Sequence, residues 1–194
     1  MKSLYRSRIL GTGSHLPETV VTNADLESRV NTSDQWIVER TGIRSRHIAA
    51  PDELTSDMAV SAARRAMESA GVTAKDVDLL LIGTISPDMP MPSCAAIVQH
   101  KLGLRAVMSM DLSAACAGWI YGLSIADQFV RTGKARCVLV IGVELLSRIL
   151  DWTDRTTCVL FGDGAGAVVL GRAADDDVGE LLATHCFLDG SLSG

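Results

Sequence analysis

The sequence predicts an α/β layered fold, and three observations lead to that prediction. Apolar runs of strand length recur along the 194 residues, and segments with helical spacing separate them. Gly and Ala are plentiful whereas aromatic residues make up only 4% of the chain, which suits closely packed layers. The runs at residues 78–85 and 137–143 are apolar almost throughout, which is typical of strands buried on both faces of a largely parallel sheet.

The elements follow in order from the same patterns. Strands are expected at residues 8–13, 20–22, 78–85, 107–112, 137–143 and 166–170. Helices are expected after residue 23 and at residues 33–41, 55–70, 93–102 and 117–131. The acidic run at 175–177 is expected to be a solvated loop. No linker divides the chain, so residues 1–194 are expected to form one domain or a large part of one.

The helix at residues 33–41 has signals at both ends. Thr32 and Gln35 have the spacing of a capping box, and Gly42 can end a helix. Trp36 and Arg40 then lie one turn apart on the same face, where a flat aromatic ring and a cation can bind a purine and a phosphate. A partly buried packing role for the tryptophan is the alternative that the pattern leaves open.

Two glycine-rich segments do not suit a nucleotide-binding loop. Residues 162–166 lead into a strand, and residues 11–13 are followed by Leu16 and Pro17, so neither opens the helix that would hold a phosphate. Both segments are therefore expected to be tight turns.

Composition excludes several classes of function. The longest apolar run is shorter than the roughly 20 residues that cross a bilayer, so no membrane association and a cytoplasmic location are expected. A net charge of −5 without a basic run argues against a nucleic-acid partner. The five cysteines lie far apart, which favours reduced thiols. No metal site is expected, because the histidines are spread singly, at His15, His47, His100 and His185.

Cys116 is the candidate nucleophile. It lies where an apolar strand passes into the helix predicted at 117–131, so the field at the helix N-terminus would stabilise its thiolate. Exposed backbone N–H groups at the same place can hold an oxyanion, which acyl transfer requires. The alternative is a small buried core residue, the commonest role of a free cysteine.

Five longer segments have a common order and spacing: residues 11–17 (GTGSHLP), 32–38 (TSDQWIV), 40–44 (RTGIR), 111–118 (DLSAACAG) and 161–166 (FGDGAG). Together they resemble the β-ketoacyl-acyl carrier protein synthase III family of thiolase-fold condensing enzymes. The resemblance implies a thiolase-like layered fold, αβαβα in the full enzyme, of which residues 1–194 would form the first of two similar halves.

The same resemblance implies an activity. Cys116 would take an acyl group from acyl-CoA, most commonly acetyl-CoA, and malonyl-acyl carrier protein would then be decarboxylated and condensed with it. The CoA thioester is a substrate, no separate cofactor is implied, and a homodimer is expected. The family's catalytic histidine and asparagine lie in the second half, beyond Gly194.

Site residues are carried over from the family by position. The CoA contacts implied are Thr32, Trp36, Arg40 and Arg155. The acyl-pocket residues implied are Leu146, Leu160 and Phe161, with Met91 of the partner subunit. The family position of Met91 often holds phenylalanine, so the preferred starter is left open, and a related enzyme that uses another acyl-CoA is one alternative. A non-catalytic acyl-binding or CoA-binding subunit is the other, although an intact Cys116 favours the enzyme.

Overall fold

The computed structural model describes residues 5–174, 179–187 and 189–192. The acidic run predicted as a loop at 175–177 lies outside these ranges. Within them, the strands are β1 Ser7–His15, β2 Thr19–Thr22, β3 Ser45–Ile48, β4 Leu79–Gly83, β5 Met108–Leu112, β6 Cys137–Leu145 and β7 Asp163–Arg172. The α-helices are α1 Asn23–Glu27, α2 Asp34–Thr41, α3 Thr55–Ala70, α4 Cys94–Leu102 and α5 Ala117–Arg131. Each overlaps a predicted element except β3, which the sequence analysis missed, and β1, β6 and β7 are longer than predicted.

The five-stranded central sheet has the order β1-β7-β6-β4-β5. Strand β4 runs parallel to both β5 and β6, whereas β7 is antiparallel to both β6 and β1. Four of the five strands thus run in one direction and β7 runs against them, so the sheet is largely parallel, as predicted, with one antiparallel strand. A continuous apolar run reports burial on both faces and carries no information on strand direction, and most residues of antiparallel β7 are buried too.

Helices cover both faces of this sheet. Alternate residues of β4 point to opposite sides, so that Leu80 and Ile82 pack with α3 and α4, while Leu79 and Leu81 pack with α5. The bounds predicted for α3 and α5 are confirmed. In the part of the chain described, no helix is long and apolar enough to span a bilayer.

The glycine-rich segments were wrongly predicted as tight turns. Gly11 and Gly13 lie inside β1, and most of the 162–166 segment lies inside β7. A Cβ atom on Gly11 would lie 2.6 Å from the carbonyl oxygen of Ala66 and 2.8 Å from the Cα of Ala70, both in α3. The glycine is needed for close approach of strand and helix rather than for chain reversal.

The start of α2 also differs from its prediction. Ser33 is the N-cap and its hydroxyl accepts a hydrogen bond from the Trp36 N–H at 3.1 Å, so the capping box from Thr32 to Gln35 was wrong. The side-chain amide of Gln35 instead donates to Glu39 at 2.8 Å. The predicted helix end at Gly42, with φ 75°, is confirmed.

We predict that Gly11→Ala destabilises the protein by about 1–3 kcal/mol, because the added methyl group meets helix backbone that cannot rotate away. Urea unfolding measures the change in free energy. Gly166→Ala is the matched control, since it lies in neighbouring β7 and its Cβ would meet nothing within 4 Å. Equal stability of the two variants would contradict the prediction.

Candidate functional site

Cys116 lies at the junction between β5 and α5, as predicted. Strand β5 ends at Leu112, Cys116 occupies the N-cap position of α5, and its side chain is exposed. Ala115 has φ 46°, a left-handed conformation that is rare for a residue with a side chain. This sharp turn directs the chain from the sheet into the helix and presents the exposed Cys116 at the first turn of α5.

Two glycines let this turn lie directly on the sheet. A Cβ atom on Gly83, at the end of β4, would lie 2.8 Å from the carbonyl carbon of Gly118 and 2.8 Å from the nitrogen of Trp119. Any side chain at Gly83 would push the first turn of α5 away from the carboxyl end of β4. A glycine inside an otherwise apolar strand is an indirect signal of this close contact.

Cys116 opens into a cavity of about 500 Å³. Leu146 and Phe161, two of the residues expected to line an acyl pocket, are among its walls. The other two expected residues lie elsewhere in this chain: Leu160 is 42% exposed outside the cavity, and Met91 is 84% exposed. Met91 was assigned to the pocket of a partner subunit, and that assignment stays a prediction.

Further wall residues were not found from the sequence. Ile85, Trp119 and Glu144 line the same cavity. They belong to three segments that are distant along the chain and meet because the carboxyl ends of parallel β4, β5 and β6 lie at one edge of the sheet. The alternation of side chains along one strand does not show which strands are neighbours. No local sequence pattern therefore identified these three wall residues.

The residues expected to contact CoA form a second cluster. The guanidinium carbons of Arg40 and Arg155 lie 4.4 Å and 4.7 Å from the centroid of the Trp36 ring. Arg155 also donates a hydrogen bond to the carbonyl oxygen of Asn31 at 2.9 Å. The hydroxyl of Thr32 is buried and has no hydrogen-bond partner among the described residues. The structure thus brings Trp36, Arg40 and Arg155 together, as expected.

A buried arginine holds this cluster in place. Arg46 in β3 donates to the side-chain oxygen of Asn23 at 2.9 Å and to the carbonyl oxygens of Val21 and Val159 at 3.2 Å and 3.0 Å. Burial lowers the pKa of its guanidinium. The bond to Val159 ties the segment that carries Arg155 to the small β2–β3 sheet. The sequence analysis missed Arg46, because its partners are distant along the chain.

The other cysteines lie in different surroundings. Cys94, Cys137 and Cys158 are buried, and Cys186 is exposed. Burial, together with the Asp111 carboxylate, raises the pKa of Cys94 to about 12, and burial with nearby Asp78 raises that of Cys137 to about 11. These thiols hold their protons at neutral pH and cannot act as nucleophiles.

Two histidines have hydrogen-bonded roles. The Nε2 of His15 lies 2.7 Å from a Glu53 carboxylate oxygen, and the Nδ1 of His47 donates to the carbonyl oxygen of Pro17 at 2.6 Å.

Within residues 5–174, 179–187 and 189–192, no three His, Cys, Asp or Glu side chains are grouped closely enough to bind a metal ion.

Comparison with known proteins gives consistent matches. The profile of a family described as 3-oxoacyl-[acyl-carrier-protein (ACP)] synthase III matches residues 110–190. A β-ketoacyl-[acyl-carrier-protein] synthase III from Xanthomonas oryzae pv. oryzae is 59% identical over 98% of this chain and 57% of its own length. The same named protein from Ehrlichia canis is 54% identical over 97% of this chain and 59% of its own length.

Solved structures agree with these relatives. The 3-oxoacyl-[acyl-carrier-protein] synthase III of Aquifex aeolicus superposes with a TM-score of 0.93 at 49% identity, covering 96% of this chain and 60% of that one. A priming β-ketosynthase from the R1128 polyketide pathway gives a TM-score of 0.86 at 42% identity, over 89% and 52% of the two chains. The chain spans 57% of the length of the first curated relatives it matches.

We predict that iodoacetamide at pH 8 alkylates Cys116 and Cys186 at least about 100-fold faster than Cys94 or Cys137, because the raised pKa values leave the buried thiols almost without thiolate. Peptide mass mapping over time measures each rate. The same reaction in denaturant is the control, because unfolding should make the alkylation rates of the four cysteines similar. Labelling of native Cys94 as fast as that of Cys116 would contradict this reactivity order.

Proposed function

This chain belongs to the 3-oxoacyl-[acyl-carrier-protein] synthase III family and has its thiolase-like layered fold, and on that basis we propose that it carries the acyl-accepting part of a condensing enzyme. The enzyme would join a CoA-linked starter, commonly acetyl-CoA, to malonyl-acyl carrier protein and so initiate fatty-acid synthesis. The observation that carries the proposal is Cys116 at a helix N-terminus, open to an apolar cavity.

In the first half-reaction, the Cys116 thiolate attacks the thioester carbonyl of acyl-CoA. A bond forms between Sγ and the carbonyl carbon, and the bond to the CoA sulfur breaks, so that CoA leaves as a thiolate. The backbone N–H of Cys116, at the first turn of α5, supports the developing oxyanion. The neutral acyl chain then occupies the cavity lined by Leu146 and Phe161.

In the second half-reaction, malonyl-acyl carrier protein loses carbon dioxide and the resulting carbanion attacks the acyl-cysteine. A carbon–carbon bond forms, the bond to Sγ breaks, and Cys116 is released as a thiolate with a 3-oxoacyl product. None of the described residues around the cavity is a histidine. By the family resemblance, the histidine and asparagine that assist decarboxylation belong to the second of two similar halves, and we propose that residues 1–194 form the first, in keeping with the 57% of the relatives' length that the chain spans.

The CoA nucleotide would bind at the cluster of Trp36, Arg40 and Arg155, with Thr32 beside it. A base stacked between Trp36 and Arg155 needs roughly 7 Å between them, about 3.5 Å on each side. The present separation of 4.7 Å is too small. Binding would therefore swing Arg155 away from the ring and break its hydrogen bond to Asn31. The buried, unpartnered hydroxyl of Thr32 is free to bond the nucleotide.

The assembly proposed is a homodimer in the cytoplasm, without a separate cofactor. Strand β5 lies at one edge of the central sheet, with Met108 half exposed, and an edge strand has backbone groups available to pair with a second copy. The family resemblance implies that Met91 of the partner subunit and Leu160 of this chain would then belong to the acyl pocket. A condensing enzyme that uses another acyl-CoA starter is the second candidate, since one similar protein is a priming β-ketosynthase of a polyketide pathway.

We predict that Cys116→Ser abolishes acyl-enzyme formation while the fold stays intact, because the hydroxyl is nearly isosteric but far less ionised than the thiol. Radiolabelled acetyl-CoA, a longer acyl-CoA and an aromatic acyl-CoA are compared as acyl donors by intact mass. Cys186→Ser is the matched control and should keep full labelling, since Cys186 is exposed outside the cavity. Unchanged labelling of Cys116→Ser would overturn the assignment of Cys116 as the nucleophile, whereas no labelling of the unmodified protein would favour a non-catalytic binding subunit.

We predict that Trp36→Ala weakens CoA binding by about 10-fold or more, because a stacked aromatic contact is worth roughly 1–3 kcal/mol per base. Calorimetric titration with CoA measures the affinity. Alkylation of Cys116 by iodoacetamide is the internal control and should be unchanged, since Trp36 lies outside the cavity that contains Cys116. Equal CoA affinity in the variant would remove the stacking role.

A further inference from the structure

Glu144 is a carboxylate in the wall of an otherwise apolar cavity. It lies near the end of β6 and shares the cavity with Cys116, Leu146 and Phe161. None of the described residues around the cavity is basic, and none of the ion pairs in the described ranges includes Glu144. An ionised group here places a negative charge beside the acyl-binding space without a cation to compensate it.

The carboxylate is fixed by donors from one neighbouring segment. The Ile85 N–H lies 3.0 Å and 3.2 Å from its two oxygens, and the hydroxyls of Ser86 and Thr84 donate to it at 2.5 Å and 3.4 Å. Ser86 in turn accepts a hydrogen bond from the Leu145 N–H at 2.8 Å. These hydrogen bonds hold the carboxylate group at the cavity wall.

We propose that Glu144 is a specificity-determining residue that keeps negatively charged acyl groups off Cys116. The inference rests on the proposed function, because it concerns which acyl-CoA loads the thiol. An acyl chain that ends in a carboxylate would enter an apolar cavity and meet the fixed charge of Glu144. Like charges a few ångströms apart repel far more strongly in such surroundings than in water.

Selection by charge answers a difficulty in the reaction itself. Both substrates are thioesters, and the extender unit differs from the starter chiefly in its free carboxylate. Loading of the extender onto Cys116 would block the site with a group that cannot serve as the neutral acceptor. A carboxylate in the starter cavity discriminates between the two by charge, while Leu146 and Phe161 accept the uncharged chain through apolar contact.

The first experiment varies the ligand and needs no substitution. Acylation of Cys116 is followed by intact mass, in the protein purified as its natural assembly, with succinyl-CoA and with succinamoyl-CoA. These two donors differ in charge at nearly equal size, because an amide replaces the terminal carboxylate. We expect the amide to react at least about 10-fold faster. Equal rates would overturn the proposal.

The second experiment varies the protein. Glu144→Gln keeps an acceptor for the Ile85 N–H and removes the charge, so the preference for the amide should fall several-fold towards unity. Glu144→Asp keeps the charge and should retain the preference. Glu68→Gln is the matched control, since it removes the same charge from the exposed face of α3, and it should behave as the unmodified protein.

The ratio of the two rates separates a specificity role from a purely structural one. A Glu144→Gln variant in which both donors slow equally would show that Glu144 only supports the 84–86 segment, and would overturn the inference. Failure of every neutral acyl-CoA to label Cys116 would overturn the proposed function and this inference with it. Normal labelling by neutral donors with an unchanged ratio would overturn the inference alone.

Discussion

The candidate site depends on the contact between the end of β4 and the first turn of α5. Gly83 and Gly118 meet there almost backbone to backbone, with no room for a Cβ on Gly83. Since β4 pairs in parallel with both β5 and β6, this contact lies where the carboxyl ends of three strands meet. The turn through Ala115 can therefore place Cys116 at the same edge of the sheet as the β6 residues that form the cavity wall.

Much of the architecture could be predicted because buried strands and helices have recognisable patterns of apolar residues in the sequence. The run at 78–85 predicted β4, and the apolar spacing at 117–131 predicted α5 to the residue. Strand direction produces no such pattern, since β7 runs antiparallel to β6 although the two strands are buried to a similar extent. Gly11 was misinterpreted for a related reason: a glycine required by a neighbouring helix looks, in one sequence, like a glycine required by a turn.

The candidate site, like the fold, has parts that the sequence predicted and parts that it did not. Helical spacing was enough to place Trp36 and Arg40 on one face, whereas the strand–helix junction only made Cys116 a candidate, and the family resemblance was needed to prefer it to a buried core residue. The approach of Arg155 to Trp36 was expected only through the family resemblance, because the two residues meet through tertiary structure that includes the buried Arg46. Spacing along the chain carries no information on such contacts.

Polar anchors behind the cavity explain how an apolar wall keeps a defined shape. Apolar contacts are not directional, whereas the buried carboxylate of Asp163 accepts bonds from the Ser147 N–H and hydroxyl at 2.9 Å and 2.6 Å and from the Ala49 N–H at 2.8 Å. The preceding Gly162 lies so close to the β2–β3 sheet that an added Cβ would be 3.0 Å from the Cβ of Arg46. The segment from Arg155 to Asp163 is thus held both at the contact between Arg155 and Trp36 and at the cavity, so a displacement of Arg155 would act on the chain that carries Phe161.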